Sequence, residues 1–350
     1  MNIHEKYMLR CIELGKKGLG STAPNPMVGC VIVCNNKIIG EGYTSPYGGA
    51  HAEVNAINAV KDKRLLSKAT LYVTLEPCSH FGKTPPCSDL IIKCGIPEVI
   101  VGLQDPHDKV AGAGLAKLEE AGCKTQVGIL ENECKKHHVR FLTFQEKKRP
   151  YIILKWAETR DGFIAPEEKL RKKSPKPFWI SNIYSKQLVH KWRSEEQAIL
   201  VGTTTVLADN PKLTVRNWTG KNPLRIVLDK NLKIPLDYHV FDGNVKTIIF
   251  TEINDASKYK ESISYELIDF SEAIASQICA VLIKHSITSV IIEGGSKTIQ
   301  TFIDEGLWDE ARIFKGNISF AGGTKAPIIP GRLLRTTSVL SDTLSTFIND

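Results

Sequence analysis

A histidine, a carboxylate and two cysteines constrain the fold of this chain more than any other feature. They are His51 and Glu53, then Cys78 about twenty-five residues later, then Cys87. One imidazole and two thiolates can bind zinc, and three protein ligands leave a tetrahedral ion one open position, as in catalytic sites. Water bound at that position loses a proton near neutral pH, and a carboxylate that is not a ligand can carry the proton. The fold must therefore bring distant segments together around Glu53.

Each expected ligand lies at the boundary of a predicted element. His51 precedes the helical run 52–60, Cys78 follows the strand-like run 69–75 and Pro77, and Cys87 precedes a predicted helix over 88–94. Taken singly, a histidine is usually structural, and a cysteine is most often a small buried hydrophobe. Their combination with Glu53 favours a catalytic zinc. A structural zinc remains a rival: it would need a fourth ligand, with His80 as the best candidate, and would leave Glu53 unexplained.

The pattern of the first half predicts an α/β domain. A helix over 3–18 and strands over 28–34 and 37–43 come first, and strands near Leu71, Val99 and Gln126 then alternate with helices near Leu90, Leu115 and Glu133. This alternation predicts a layered sheet with helices on both faces. At 350 residues the chain is long enough for about two domains. The charged stretch 145–150 marks the boundary, so we expect domains at 1–146 and 147–350.

The second half contains weaker signals. Lys155 lies near the end of the apolar strand 151–157, where it either reaches water or points into a cleft that satisfies its charge. Residues 192–193 and 203–216 are interpreted as polar loops. A strand over 289–293 ends in Gly294-Gly295 before a helix over 297–304. Such a turn can bring backbone N–H groups close to a phosphate, although a plain strand–helix turn is more common.

Composition bears on partners and compartment. The net charge of +8 is spread along the chain, with dense runs only at 147–149 and 169–176, which fits an enzyme for phosphorylated substrates and not a nucleic-acid-binding protein. The polar start lacks the pattern of a signal peptide, and no apolar run is long enough to span a bilayer. Nine cysteines, two of them expected on metal, favour the reducing cytoplasm. We expect no membrane partner.

Several motifs together resemble one family. They are Pro24-Asn25-Pro26-Met27-Val28-Gly29, His51-Ala52-Glu53, Thr74-Leu75-Glu76-Pro77-Cys78-Ser79-His80 and Gly82-Lys83-Thr84-Pro85-Pro86-Cys87. Zinc-dependent nucleobase deaminases carry an H-x-E…P-C-x-x-C signature, and the longer spacing between the two cysteines here is similar to that of the bifunctional riboflavin-biosynthesis deaminase/reductases. The resemblance covers nearly the whole chain. It implies a cytidine-deaminase-like three-layer N-terminal domain and a dihydrofolate-reductase-like C-terminal domain, and a homo-oligomer is expected.

The resemblance also implies roles for individual residues. Zinc would be bound by His51, Cys78 and Cys87, with Glu53 as the proton shuttle and Asn25 holding the pyrimidine. In the second domain, NADPH would be bound by Ala157, Trp179, Thr205, Asp209 and Gly295. The phosphorylated pyrimidine substrate would be bound by Arg193, Leu213, Arg216 and Glu293. Lys155 and Asp209 would flank the carbon that receives hydride. Arginine suits phosphate because its planar fork donates two parallel hydrogen bonds.

The chain departs from the family pattern at Pro177 and Lys230, which stand where smaller polar residues contact substrate and cofactor. These changes put individual contacts in doubt and leave the activity class unchanged. The main alternative is a nucleoside or tRNA deaminase whose second half is a non-catalytic binding module. The long cysteine spacing and the Thr205-x-x-x-Asp209-x-Pro211-x-Leu213-Thr214-x-Arg216 pattern argue against that alternative.

Overall fold

A computed structural model describes residues 2–82, 85–106, 112–167, 169, 176–255 and 261–349. The chain divides into two compact units, Met1–Lys148 and Arg149–Asp350. The motif residues Lys83 and Thr84 and most of the lysine-rich stretch 169–176 lie outside the described residues. In the part of the chain that is described, no helix is both long enough and apolar enough to cross a bilayer.

The first unit is built on a five-stranded sheet. In chain order its elements are α1 (Ile3–Gly15), β1 (Gly29–Cys34), β2 (Lys37–Tyr43), α2 (Ala52–Ala59), β3 (Thr70–Val73), α3 (Cys87–Lys93), β4 (Glu98–Val101), α4 (Ala113–Glu120), β5 (Lys124–Val127), α5 (Glu131–His137) and α6 (Val139–Glu146). The strand order is β2-β1-β3-β4-β5, with β1 antiparallel to both neighbours and β3, β4 and β5 parallel. The predicted strands and helices of this half are confirmed. The first helix ends at Gly15, and a 3-10 turn continues to Gly18.

Glycines on β1 and β2 let helices lie directly against the sheet. A Cβ atom added at Gly29 would come within 1.8 Å of the carbonyl oxygen of Cys11 on α1, and one added at Gly42 within 2.4 Å of that of Ala52 on α2. All six residues of β1 are buried, as expected for a strand covered on both faces. Because Ala52 follows His51, the close approach of α2 also fixes the position of the first expected zinc ligand.

The second unit is built on a nine-stranded sheet. Its elements are β6 (Tyr151–Glu158), β7 (Phe163–Ala165), α7 (Ile183–Glu195), β8 (Ala198–Gly202), α8 (Thr203–Asp209), β9 (Leu224–Leu228), β10 (Thr247–Thr251), β11 (Ile263–Leu267), α9 (Ile274–Lys284), β12 (Ser289–Gly294), α10 (Ser296–Asp304), β13 (Glu310–Lys315), β14 (Thr324–Lys325), β15 (Arg332–Val339) and β16 (Asp342–Ile348). The sheet order is β11-β10-β9-β8-β12-β6-β13-β16-β15. The strands from β11 to β13 run parallel, and β16 and β15 add antiparallel pairs at one side.

Two stretches predicted as loops are partly helical, so that prediction is wrong for them. Trp192 and Arg193 lie in α7, and residues 203–209 form α8. The threonine run at the start of α8 has low intrinsic helix propensity, but tertiary hydrogen bonds determine its conformation. Thr203 Oγ1 donates to the carbonyl of Leu228 at 2.5 Å, and Thr205 Oγ1 accepts from Gly295 N–H at 2.8 Å. Residues 210–216 carry no helix or strand.

Two candidate active sites

The three expected zinc ligands meet at one point of the first unit. His51 is the N-cap of α2, Cys78 follows the end of β3, and Cys87 begins α3. Their ligand atoms lie within 4.8 Å of one another, with His51 Nδ1 at 3.6 Å from Cys78 Sγ and 3.4 Å from Cys87 Sγ. One imidazole and two thiols at these separations suit a single zinc ion with an open fourth position. Within the described residues this is the one cluster of histidine, cysteine or acidic side chains close enough to bind a metal.

The contacts between these ligands shift the pKa values of the two thiols in opposite directions. The hydrogen bond with Cys87 lowers the pKa of the Cys78 thiol to about 4, with a further contribution from His51 and against the effect of burial. The same contact raises the pKa of Cys87. The Cys87 N–H also donates to Cys78 Sγ at 3.3 Å. Cys78 is therefore poised as a thiolate, the form that binds zinc.

Glu53 lies in the first turn of α2, two residues after His51, and is 4% exposed. Burial, followed by the charge of Cys78, raises the pKa of its carboxyl to about 7. A carboxyl group that titrates near neutral pH can both accept and return a proton, as general acid–base catalysis requires. Its position beside three ligands, without being one of them, fits a proton shuttle.

A cavity of about 450 Å³ opens onto this cluster. Its walls include Asn25, His80 and Asp105 together with His51 and Cys78. Asn25 therefore faces the same space as the metal ligands. His80 also lines the cavity but does not belong to the metal-binding cluster, which counts against the closed four-ligand alternative.

Glu76 is a cavity residue for which the sequence suggested no role. Its buried carboxylate accepts hydrogen bonds from four backbone N–H groups, those of Asp105, Gly112, Gly114 and Leu115, at 2.9–3.3 Å. The donors lie 29 to 39 residues further along the chain. No periodicity or local spacing could have revealed them.

In the second unit, charged residues gather at the carboxyl ends of the parallel strands. Glu293 near the end of β12 accepts two hydrogen bonds from Arg193, at 2.8 Å from Nε and 2.7 Å from Nη2. Lys155 on β6 places Nζ 3.6 Å from the same carboxylate. Burial alone would raise the pKa of Glu293, but Arg193 and Lys155 lower it to about 2. Burial lowers the pKa of Lys155, against the attraction of Glu293. Lys155 thus points into the protein, and its partner is an acidic residue.

The segment after α8 lies beside this ion-pair cluster. Arg193 Nη1 donates to the carbonyl of Thr214 at 3.3 Å, and the exposed Arg216 donates from Nη1 to Thr214 Oγ1 at 3.2 Å. His190 Nδ1 accepts from the Arg216 backbone N–H at 3.2 Å. Leu213 is buried with a φ of 54°, a left-handed conformation that turns the chain at this point. Arg193 and Arg216 are therefore linked through Thr214.

Some of the predicted cofactor residues lie at the same edge of the sheet. Thr205 near the start of α8 is hydrogen-bonded to Gly295, the N-cap of α10, so the turns after β8 and β12 are joined. Asp209 ends α8, and Ala157 lies two residues after Lys155 on β6. Carboxyl ends of parallel strands are where open α/β sheets bind nucleotides.

Trp179, and Pro177 and Lys230, which depart from the family pattern, have different exposures and contacts. Trp179 is 57% exposed, with Lys186 Nζ 3.8 Å from its ring centroid. Pro177 is exposed. Lys230 Nζ lies 3.0 Å from Glu252 Oε1, so its charge is partly balanced by a neighbour.

Comparisons with known proteins cover both units. The model of the cytidine and deoxycytidylate deaminase zinc-binding region matches residues 1–103, and that of the RibD C-terminal domain matches residues 150–346. Riboflavin biosynthesis protein RibD of Aquifex aeolicus is 40% identical over 316 residues, which are 89% of this chain and 86% of that protein. The Escherichia coli RibD protein is 34% identical over 326 residues, 89% and 86% of the two chains.

A solved structure is similar over the full length. The diaminohydroxyphosphoribosylaminopyrimidine deaminase/5-amino-6-(5-phosphoribosylamino)uracil reductase of Thermotoga maritima superposes with a TM-score of 0.88 at 38% identity, covering 99% of each chain. The fold and the two sites thus define a zinc-dependent deaminase joined to an NADPH-dependent reductase. The chain belongs to the RibD family. The predicted fold class, enzyme class and cofactors are confirmed, and the alternative with a non-catalytic second half is not favoured.

Proposed function

We propose that the first unit deaminates 2,5-diamino-6-(5-phosphoribosylamino)pyrimidin-4(3H)-one and that the second unit reduces the ribosyl group of the product to ribityl. The observation that carries the proposal is the buried carboxylate of Glu53 beside three converging ligand atoms. The full-length similarity to a protein named for both activities supports the same pair of steps. The predicted domain division at 1–146 and 147–350 assigns one step to each part.

In the deamination, His51, Cys78 and Cys87 would bind zinc, which supplies acidification of a bound water. Glu53 accepts the proton as the water oxygen bonds to the amino-bearing carbon. It then returns a proton to the amino nitrogen, the C–N bond breaks and ammonia leaves. Asn25 donates to or accepts from the pyrimidine edge, since its amide lines the same cavity.

In the reduction, a bound NADPH would supply the hydride that C1′ of the opened ribosyl group receives, and the protein's residues would supply placement and charge. Lys155 and Asp209 flank that carbon. We assign Lys155 as the donor of the proton that the nitrogen bonded to C1′ takes up when the C=N bond is reduced, because burial lowers the pKa of its ammonium and makes it a stronger acid. Ala157, Trp179, Thr205, Asp209 and Gly295 form the cofactor site.

The substrate phosphate needs an accessible cation. Arg216 is exposed and has donors beyond its contact with Thr214, so we assign it the phosphate. Arg193 is engaged on both sides by Glu293 and Thr214, and we assign it the task of orienting Glu293 toward the substrate. Leu213 shapes the wall between these groups.

A coupled assay tests the proposal. Zinc-loaded protein is given the diaminopyrimidinone ribose phosphate and NADPH, and ammonia release and NADPH oxidation are followed together. Equal amounts of ammonia and oxidised NADPH support both steps. Ammonia release without NADPH oxidation would refute the reductase assignment. The absence of both signals would refute both assignments.

We further propose a cytoplasmic homo-oligomer that does not bind nucleic acid. None of the nine cysteines, all of them among the described residues, forms a disulfide, as suits a reducing compartment. Seven of the eight residues of the sheet's edge strand β15 are exposed, a surface that a second copy could cover. Sedimentation velocity with and without duplex RNA tests both points, and a monomer at micromolar concentration would contradict the oligomer.

A further inference from the structure

Glu76 connects two walls of the deaminase cavity. It lies two residues before the zinc ligand Cys78, lines the cavity and is 4% exposed. Its backbone N–H donates to the carbonyl of Leu103 at 2.9 Å, just beyond the carboxyl end of β4. Its side chain then continues to the next segments, so one residue contacts the end of β4 and the start of α4.

The carboxylate of Glu76 is shared evenly between its donors. Oε1 accepts from the N–H groups of Gly114 at 2.9 Å and Leu115 at 3.3 Å, and Oε2 accepts from those of Gly112 at 3.1 Å and Asp105 at 3.2 Å. Gly114 and Leu115 belong to the first turn of α4 and Gly112 is its N-cap, positions where backbone N–H groups have no partner within the helix. The N-cap, Gly112, has no side chain to supply one. Glu76 therefore acts as the cap of α4 from a distant strand end.

The junction leaves no free space. A Cβ atom added at Gly114 would lie 2.0 Å from the carbonyl oxygen of Pro77 and 3.1 Å from Glu76 Oε1. The start of α4 thus touches the peptide that directly precedes Cys78. Because of these contacts, a shift of α4 would displace the peptide between Pro77 and Cys78, and a shift of that peptide would displace α4.

Asp105 connects the hydrogen bonds of Glu76 with the cavity in which the substrate would bind. It lines the cavity together with Asn25, Glu53 and Cys78. Its backbone N–H is the fourth donor to Glu76. The Glu76 carboxylate therefore joins this part of the cavity wall to the segment that carries Cys78.

We propose that Glu76 is a positioning residue of the deaminase, which holds Asp105 and the start of α4 in register with Cys78 so that the pyrimidine ring is presented to the attacking water. The proposal rests on the proposed deamination. Glu76 itself touches neither the metal nor the reacting atoms. It acts through the wall that carries Asp105.

The test is Glu76→Gln, which keeps shape but replaces one acceptor oxygen with an N–H₂ group facing two backbone donors. We expect ammonia release to show a kcat lowered at least tenfold and a KM raised several-fold, with one zinc per chain retained. NADPH oxidation on the separately supplied deaminated intermediate should be unchanged. Hydrogen exchange at the amides of Gly114 and Leu115 should become faster.

The matched control is Glu98→Gln, which removes one oxygen of a carboxylate that accepts from Thr70 Oγ1 at 2.6 Å at the opposite ends of β3 and β4. It should leave kcat and KM within twofold. Glu76→Gln with unchanged kcat and KM, or with activity that falls only in proportion to lost zinc, would overturn the proposal.

Action through Asp105 has its own readout. In an Asp105→Asn background, Glu76→Gln should raise KM by less than a further twofold, because the effects of residues in one network are not additive. Fully additive effects would overturn the proposed route. Absence of ammonia release in the unmodified protein would instead refute the proposed function, so the two failures are distinguishable.

Discussion

Replacement of Glu53 by glutamine separates proton transfer from metal binding. The amide has nearly the same shape as the carboxyl group and is not one of the three ligands, so His51, Cys78 and Cys87 keep their places. Zinc content should remain at one per chain. The variant loses only the group that accepts and returns the proton.

The size of the effect follows from the surroundings of Glu53. The side chain is 4% exposed, so bulk water cannot readily replace it as a base. A positioned general acid–base residue contributes about 10²–10⁴-fold, equivalent to about 3–5 kcal/mol of activation free energy. We therefore expect kcat for ammonia release to fall at least a hundredfold.

The pH dependence gives a second measure. The pKa of Glu53 is raised to about 7, chiefly by burial, and a bound cation shifts it downward because positive charge favours the ionised carboxylate. The unprotonated form is the base, so kcat/KM should fall about tenfold per pH unit below that pKa. This acid limb should be absent from the residual activity of Glu53→Gln.

The assay is ammonia release at saturating substrate, with zinc measured on the same sample. Glu120→Gln changes an exposed carboxyl on α4 and serves as the control. NADPH oxidation on the deaminated intermediate reports on the second unit of the same molecules. A Glu53→Gln variant with full zinc and near-normal turnover would refute the reasoning.

Three further outcomes are expected. Chelation of zinc should abolish ammonia release and leave reduction of the deaminated intermediate intact, a result that loss of both activities would contradict. Asp309→Ala should destabilise the second unit by ~3–5 kcal/mol in chemical denaturation, because Arg149, held by Asp309 at 2.5 and 2.7 Å, would be buried without its partner. Lowering the pH should destabilise the first unit through His137, whose pKa is lowered to about 4 by burial and by the charges of Lys16 and Arg140, despite its contact with the Met27 carbonyl. The unfolded chain binds the proton below about pH 6.5 and the folded unit does not, so ~2 kcal/mol should be lost at pH 5, and His137→Asn should remove that part of the slope.

The zinc site could be predicted because the residue types of its ligands, and their positions next to predicted helices and strands, are visible in the sequence. His51, Cys78 and Cys87 each stand beside a helix start or strand end that the pattern of apolar residues marks, and those ends converge. Glu76 has the same kind of local setting, but its four partners come from later in the chain. Only the folded backbone brings them together.

The second unit was harder to predict because its contacts span longer distances. Arg193 and Glu293 are 100 residues apart, and Thr205 and Gly295 are 90 apart. Thr203 and Thr205 lie in a helix that propensity disfavours, held by hydrogen bonds to β9 and to the turn after β12. Lys155 remained ambiguous on the sequence because its charge partner was not adjacent. The resemblance to a family supplied what the residues alone did not.

The place of β6 in the interior of the nine-stranded sheet has a consequence for synthesis on the ribosome. This strand emerges first in its unit, yet its two neighbours are β12 and β13, and Tyr151 pairs with Ser289 about 140 residues later. At roughly 5–20 residues per second, the nascent chain carries an unpaired apolar strand for about 7–30 s. The first unit can meanwhile complete its own sheet, since β5 closes it by Val127. Newly made molecules should thus be able to bind zinc before the reductase sheet has formed. The period in which β6 is unpaired is the stage at which chaperones are most needed.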